Sequence, residues 1–124
     1  MSKILIVDDS VFQRRKIQKA LQSEQYDILE ASNGQQGLNA VRDLHPDCVI
    51  LDLLMPDMSG LDFLKILRER SDATPVVVLT ADIQETTSQE CLNLGAREVL
   101  HKLSSSSETE TLRQTIAAIL NRSQ

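Results

Sequence analysis

Apolar runs and mixed polar segments alternate along this chain five times. Ile4-Leu5-Ile6-Val7, Tyr26 to Ala31, Cys48-Val49-Ile50-Leu51, Val76-Val77-Val78-Leu79 and Val99-Leu100-His101 read as strands. Continuous Val/Ile/Leu runs are the pattern of a parallel sheet whose strands are buried on both faces. The segments between them carry helical spacing. A helix is predicted over 10–24, with Val11, Ile17, Ala20 and Leu21 on its apolar face. Ser32-Asn33-Gly34 opens a second helix with Leu38, Val41 and Leu44 in one stripe, and His45-Pro46 stops it. After a loop over 53–59, Gly60 leads into a third helix with Leu61, Phe63, Leu64, Ile66 and Leu67. Asp72 to Pro75 then turns the chain into strand four.

The fourth helix, predicted over 83–94, has no apolar residue from Gln84 through Glu90. Ile83, Cys91, Leu92 and Leu94 must anchor it, and Gly95 suits the left-handed position after its end. A run of serines, Ser104 to Ser107, precedes the fifth helix. Ser107 and Glu110 have capping-box spacing, and Leu112, Ile116, Ile119 and Leu120 share one face. Alternating strands and helices imply right-handed crossovers and an α/β sandwich of three layers. Without repeats or a linker, residues 1–124 read as a single domain.

The polar residues that end the strands carry the candidate chemistry. Strand one runs into Asp8-Asp9, strand three into Asp52, strand four into Thr80 and strand five into Lys102. In an open α/β sheet, ligands bind outside the carboxyl ends of the strands. Three carboxylates, a hydroxyl and an ammonium would meet there. A carboxylate such as Asp52 can attack a phosphoryl group, but the two negative charges repel. A hard divalent cation, Mg²⁺, removes that obstacle, with Asp9 and Asp52 as expected direct ligands and Asp8 acting through water. Lys102 would balance charge on the phosphoryl oxygens and Thr80 would donate a hydrogen bond. Each residue has a plainer reading. Asp9 or Ser10 could simply cap the first helix. Arg14-Arg15 reads as a solvated helix face, and His45 and His101, without partners at ligand spacing, read as surface residues.

Composition narrows the classes. The formal net charge is −5, from 13 basic and 18 acidic residues. That disfavours a nucleic-acid surface, which needs clustered Lys and Arg. No apolar stretch approaches a membrane span. Met1-Ser2-Lys3 leads straight into a strand, so no signal peptide is expected. Cys48 and Cys91 lack metal spacing and read as buried hydrophobes in a reduced, cytoplasmic protein.

Ile4-Leu5-Ile6-Val7-Asp8-Asp9-Ser10, Asp52-Leu53-Leu54-Met55-Pro56-Asp57-Met58-Ser59-Gly60, Leu79-Thr80-Ala81, Leu94-Gly95-Ala96 and Lys102 together resemble the bacterial response-regulator receiver family. The likeness covers nearly the whole chain and is greatest to stand-alone, chemotaxis-type members. It implies a flavodoxin-like fold with parallel strand order 2-1-3-4-5 and five helices. It implies that a sensor histidine kinase or phosphotransfer protein phosphorylates Asp52, that Mg²⁺ is required, and that Leu54 joins Asp8, Asp9 and Asp52 at the metal site. It also implies output to a downstream protein through helix 4, strand 5 and helix 5, from a monomer or weak dimer. Leu54 and Asp82, two places after Asp52 and Thr80, would modulate dephosphorylation.

Besides Leu54 and Asp82, two positions depart from that family pattern. Val99 stands where the family usually has a switching aromatic residue. Leu103 stands where the family usually has proline after a cis peptide. A cis bond before a non-proline residue costs about 2.5–4 kcal/mol, so a trans Lys102–Leu103 bond is expected, with Lys102 drawn away from Asp52. Three other readings compete with a phosphoacceptor. A small aspartyl-phosphate phosphatase needs a second Asp where Leu54 stands. A constitutive docking domain would fit Val99 and Leu103 but not the retained Asp9, Asp52, Thr80 and Lys102. A flavin carrier needs a phosphate loop where the chain has Asp8-Asp9.

Overall fold

The computed structural model describes residues 1–81 and 84–122. In chain order the elements are β1 (Lys3–Val7), α1 (Val11–Leu21), β2 (Asp27–Ala31), α2 (Gly34–Leu44), β3 (Cys48–Leu51), α3 (Gly60–Glu69), β4 (Val76–Thr80), α4 (Glu85–Asn93), β5 (Glu98–His101) and α5 (Ser106–Arg122). All strand pairings are parallel, and the order is β2-β1-β3-β4-β5. This is the α/β, flavodoxin-like receiver fold expected from the sequence.

Alternation along the strands explains why the apolar runs are unbroken. Ile4, Ile6, Cys48, Ile50, Val77 and Leu79 face α1 and α5, where they meet Ile17, Leu21, Leu112 and Ile116. Leu5, Val7, Val49, Leu51, Val76 and Val78 face α2, α3 and α4, where they meet Leu38, Val41, Phe63, Leu64 and Cys91. Each fully buried Val, Leu or Ile contributes about 1.5–3 kcal/mol, so the two half-cores hold the sheet rigid beneath its carboxyl edge.

Local differences from the sequence reading follow from partners that periodicity does not reveal. α1 ends at Leu21, not residue 24, and Val11 is half exposed instead of facing the core. Leu44 is exposed at the end of α2, where His45 takes a left-handed conformation (φ 49°) and closes the helix. The cap of α5 lies two residues earlier than the Ser107–Glu110 spacing suggested. The Glu108 amide donates to Ser105 Oγ (3.4 Å), and Glu108 Oε1 accepts from the Ser104 amide (2.9 Å). The bounds of α4 are also narrower than predicted, and its proposed anchor Ile83 lies outside the described residues.

Gly95 behaves as its place in the sequence suggests. Its φ is +106°, its amide donates to the Leu92 carbonyl, and the Ala96 amide donates to the Cys91 carbonyl (both 3.0 Å). That is the paired-bond closure of a helix on a left-handed residue. No helix among the described residues is long and apolar enough to cross a membrane.

Candidate phosphoacceptor and metal site

Strand register builds the site. Val7 pairs with Leu51, so Asp8 and Asp52 emerge side by side from the two central strands. The Asp52 amide donates to the Val7 carbonyl (3.0 Å), and the Asp8 amide donates to the Ala31 carbonyl (3.1 Å). On the other side, Thr80 pairs with His101, and the Lys102 amide donates to the Thr80 carbonyl (3.0 Å). Hydrogen bonding thus carries on one residue past the ends of β1, β3 and β5, to Asp8, Asp52 and Lys102.

Carboxylate oxygens of Asp8, Asp9 and Asp52 lie within 4.8 Å of one another. Asp52 is 3% exposed and Asp8 equally buried, while Asp9 opens to solvent. Burial raises the pKa of both Asp8 and Asp52 above the usual carboxylate value, and Asp9 adds repulsion to each. Lys102 opposes the rise at both groups. Its Nζ stands 3.5 Å from Asp52 Oδ1. The same oxygen accepts from the Leu54 amide (3.4 Å), and Asp8 Oδ1 accepts from the Ser10 amide (2.9 Å). An oxygen-only donor set, partly buried and carrying more negative charge than one lysine offsets, fits a hard divalent cation such as Mg²⁺.

The expectation that Lys102 is drawn away from Asp52 is therefore corrected. No described peptide bond is cis, yet the ammonium reaches Asp52. The packing of Leu103 accounts for this. It is 6% exposed and lies in the half-core between the sheet, α1 and α5. Lys16 Nζ, from α1, donates to its carbonyl (3.0 Å). Side-chain burial and one long-range hydrogen bond hold the loop that presents Lys102.

The other predicted positions are spread around this centre. Thr80 is buried at the end of β4. Leu54 is 68% exposed at the rim, and being a leucine it could offer a metal only its main-chain carbonyl. Val99 is partly buried against the half-core shared with α4. Asp82 lies outside the described residues. His101 stays at the surface, with Nδ1 3.1 Å from Glu108 Oε2.

Two residues were missed from sequence. Gly60 was read as a helix start only. A Cβ there would lie 2.7 Å from the Asp52 main-chain oxygen, so the 53–59 loop can fold back onto the strand end only with glycine at this place. Arg14 was read as solvated, but its side chain is 12% exposed and bonded to the Asp8 carbonyl and to Glu30. Its spacing from Asp8-Asp9, one helical turn past the Ser10 cap, was the available signal.

Comparison with known proteins agrees with this geometry. The model of the response regulator receiver domain matches residues 4–117. The chain is 38% identical over 122 residues to the transcriptional regulatory protein YdfI of Bacillus subtilis, a match covering 97% of this chain and 55% of that one. It is 37% identical over 123 residues to the transcriptional regulatory protein SrrA of Staphylococcus aureus, covering 99% and 49%. It thus spans about half the length of these relatives. Among solved structures, the receiver domain of Francisella response regulator 1452 superposes with a TM-score of 0.91 at 26% identity, covering 100% of both chains. The chemotaxis protein CheY4 of Vibrio cholerae superposes at 0.85 with 33% identity, covering 97% and 99%. By fold, by the clustered acids at its strand ends and by a match over residues 4–117, the chain belongs to the response regulator receiver domain family.

Proposed function

We propose that Asp52 is the phosphoacceptor of a two-component phosphorelay and that residues 1–124 act as one receiver domain. The observation that carries this reading is the placement of a buried carboxylate, Asp52, within 3.5 Å of Lys102 and beside Asp8 and Asp9. One Asp52 oxygen attacks the phosphorus, and the bond from phosphorus to the donor's leaving group breaks. Lys102 offsets charge on the phosphoryl oxygens, and the Thr80 hydroxyl donates to one of them. Asp8, Asp9, Asp52 and the Leu54 carbonyl would hold Mg²⁺, which neutralises the carboxylates and the incoming phosphoryl group. The domain is a signalling module that acts on itself, not a turnover enzyme.

A histidine kinase or phosphotransfer protein in the cytoplasm is the proposed donor. The proposed recipient is a protein contacting α4, β5 and α5, with Leu54, Asp82 and Val99 tuning lifetime and output. Relatives carrying this domain include transcriptional regulators as well as a chemotaxis protein. A chemotaxis-type role rests on the Vibrio likeness alone. The test is intact mass after incubation with acetyl phosphate and Mg²⁺. Wild type should gain one phosphoryl group, and Asp52→Asn should gain none. An equal gain in both would place the acceptor elsewhere.

A further inference from the structure

We propose that Arg14 is a positioning residue for the acidic cluster, acting through the Asp8 main chain. The inference rests on the metal-dependent phosphoacceptor reading and extends it to a residue on α1. Asp8 is restrained at three points. Its amide donates to the Ala31 carbonyl of β2 (3.1 Å), its Oδ1 accepts from the Ser10 amide (2.9 Å), and its carbonyl accepts from Arg14 Nη1 (2.6 Å). The last of these restrains the carbonyl of the Asp8–Asp9 peptide, and the next residue, Asp9, belongs to the cluster.

Arg14 is itself held. Its amide donates to the Ser10 carbonyl (3.0 Å) at the start of α1, and its Nε donates to Glu30 Oε1 (2.9 Å) on β2. Glu30 pairs in register with Ile6 of β1, so the anchor stands on the strand beside the one that delivers Asp8. The planar guanidinium spans two acceptors at once, which an ammonium does not do in the same geometry. A nearly buried arginine is thus spent on a strand-end carbonyl and a carboxylate of the adjacent strand.

Charge and positioning predict opposite outcomes for its loss. By Coulomb attraction alone, removing a cation near a cation site should tighten Mg²⁺ binding. If Arg14 orients the ligands, removing it should weaken binding, since groups that orient metal ligands typically account for about 10–100-fold in affinity.

The experiment measures the Mg²⁺ dissociation constant by calorimetry on the unphosphorylated full chain, with folding checked by circular dichroism. Arg14→Met keeps the aliphatic stem but loses the donors and the charge. It should bind Mg²⁺ about tenfold more weakly than wild type. Arg14→Lys keeps the charge and one contact and should fall between the two. Wild-type or tighter affinity in folded Arg14→Met would overturn the proposal, even if its melting temperature drops. If Arg14→Met does not fold, Arg14→Lys decides, and wild-type affinity there overturns it. A wild-type chain that binds no Mg²⁺ would remove the metal-dependent reading and this inference with it. Unchanged affinity in the variants of a wild type that does bind would remove the inference alone.

Discussion

At the residue scale, the balance at Asp52 is between burial and the Lys102 ammonium, and burial dominates. The pKa values of Asp8 and Asp52 are raised in the folded chain, so it binds more protons than the unfolded chain from about the usual value of 3.8 upward. Their contribution to stability is therefore full below that value and is lost as pH rises through the raised values. In metal-free buffer, Asp52→Asn should be more stable than wild type at neutral pH and should lose less stability between acid and neutral pH. Urea unfolding across that range with a chelator present measures both. A large destabilisation of the variant at neutral pH would mean that the Lys102 pairing outweighs burial. Leu103 is the opposite case, an apolar side chain that does structural work beside the site. Leu103→Ala should cost about 2–4 kcal/mol by leaving a cavity between the sheet, α1 and α5. Chemical unfolding checks the magnitude, and a cost near zero would mean that the loop does not depend on this packing.

At the element scale, α4 is held unevenly. Cys91 is its buried side chain, near the C-terminal end. There the Gly95 closure and Arg68 Nη1, donating to the Asn93 carbonyl (2.7 Å), add restraint. Helices in proteins depend mainly on packing an apolar face, and α4 packs very little of one. Amide hydrogen exchange should find α4 less protected than β1 and β3, with its first turn at Glu85 faster than the turn at Cys91. Protection equal to the central strands would refute this. The first turn of α4 follows Thr80 closely in the chain, so a change at Thr80 would reach this end of the helix first. Val99 beneath α4 is β-branched and stiff at χ1, and cannot swing as an aromatic ring does. The proposed output would then travel by repositioning of α4 instead of by a side-chain flip at Val99.

At the scale of the whole molecule, the sheet edge concentrates charge that the fold alone does not neutralise. Anything that binds the folded chain and not the unfolded one stabilises it by mass action. Mg²⁺ at about 100 times its dissociation constant should therefore raise unfolding free energy by about 2.7 kcal/mol. Asp52→Asn should show a smaller gain. Thermal unfolding over a Mg²⁺ titration measures this, and the same gain in both proteins would place the cation elsewhere.

The sequence by itself determined the class of fold and the edge of the sheet where chemistry gathers. The reason is local: a strand buried on both faces must be written as an unbroken apolar run, and four of these runs end at a polar residue on the carboxyl edge of the sheet. Asp8, Asp52, Thr80 and Lys102 were legible for that reason, and Gly95 because its φ demanded glycine. Three things had to wait for tertiary structure. Arg14 reaches a carboxylate 16 residues away, and Lys16 a carbonyl 87 residues away. Neither partner is encoded in the helical period of α1, which sorts side chains by face but not by what they meet. The cap of α5 moved because Ser105–Glu108 and Ser107–Glu110 share one spacing within the serine run, and the fold uses the first. Leu103 was misjudged because the backbone cost of the missing proline was weighed without the half-core that receives its side chain. Periodicity says which residues leave water; only the assembled layers decide which distant groups they then hold in place.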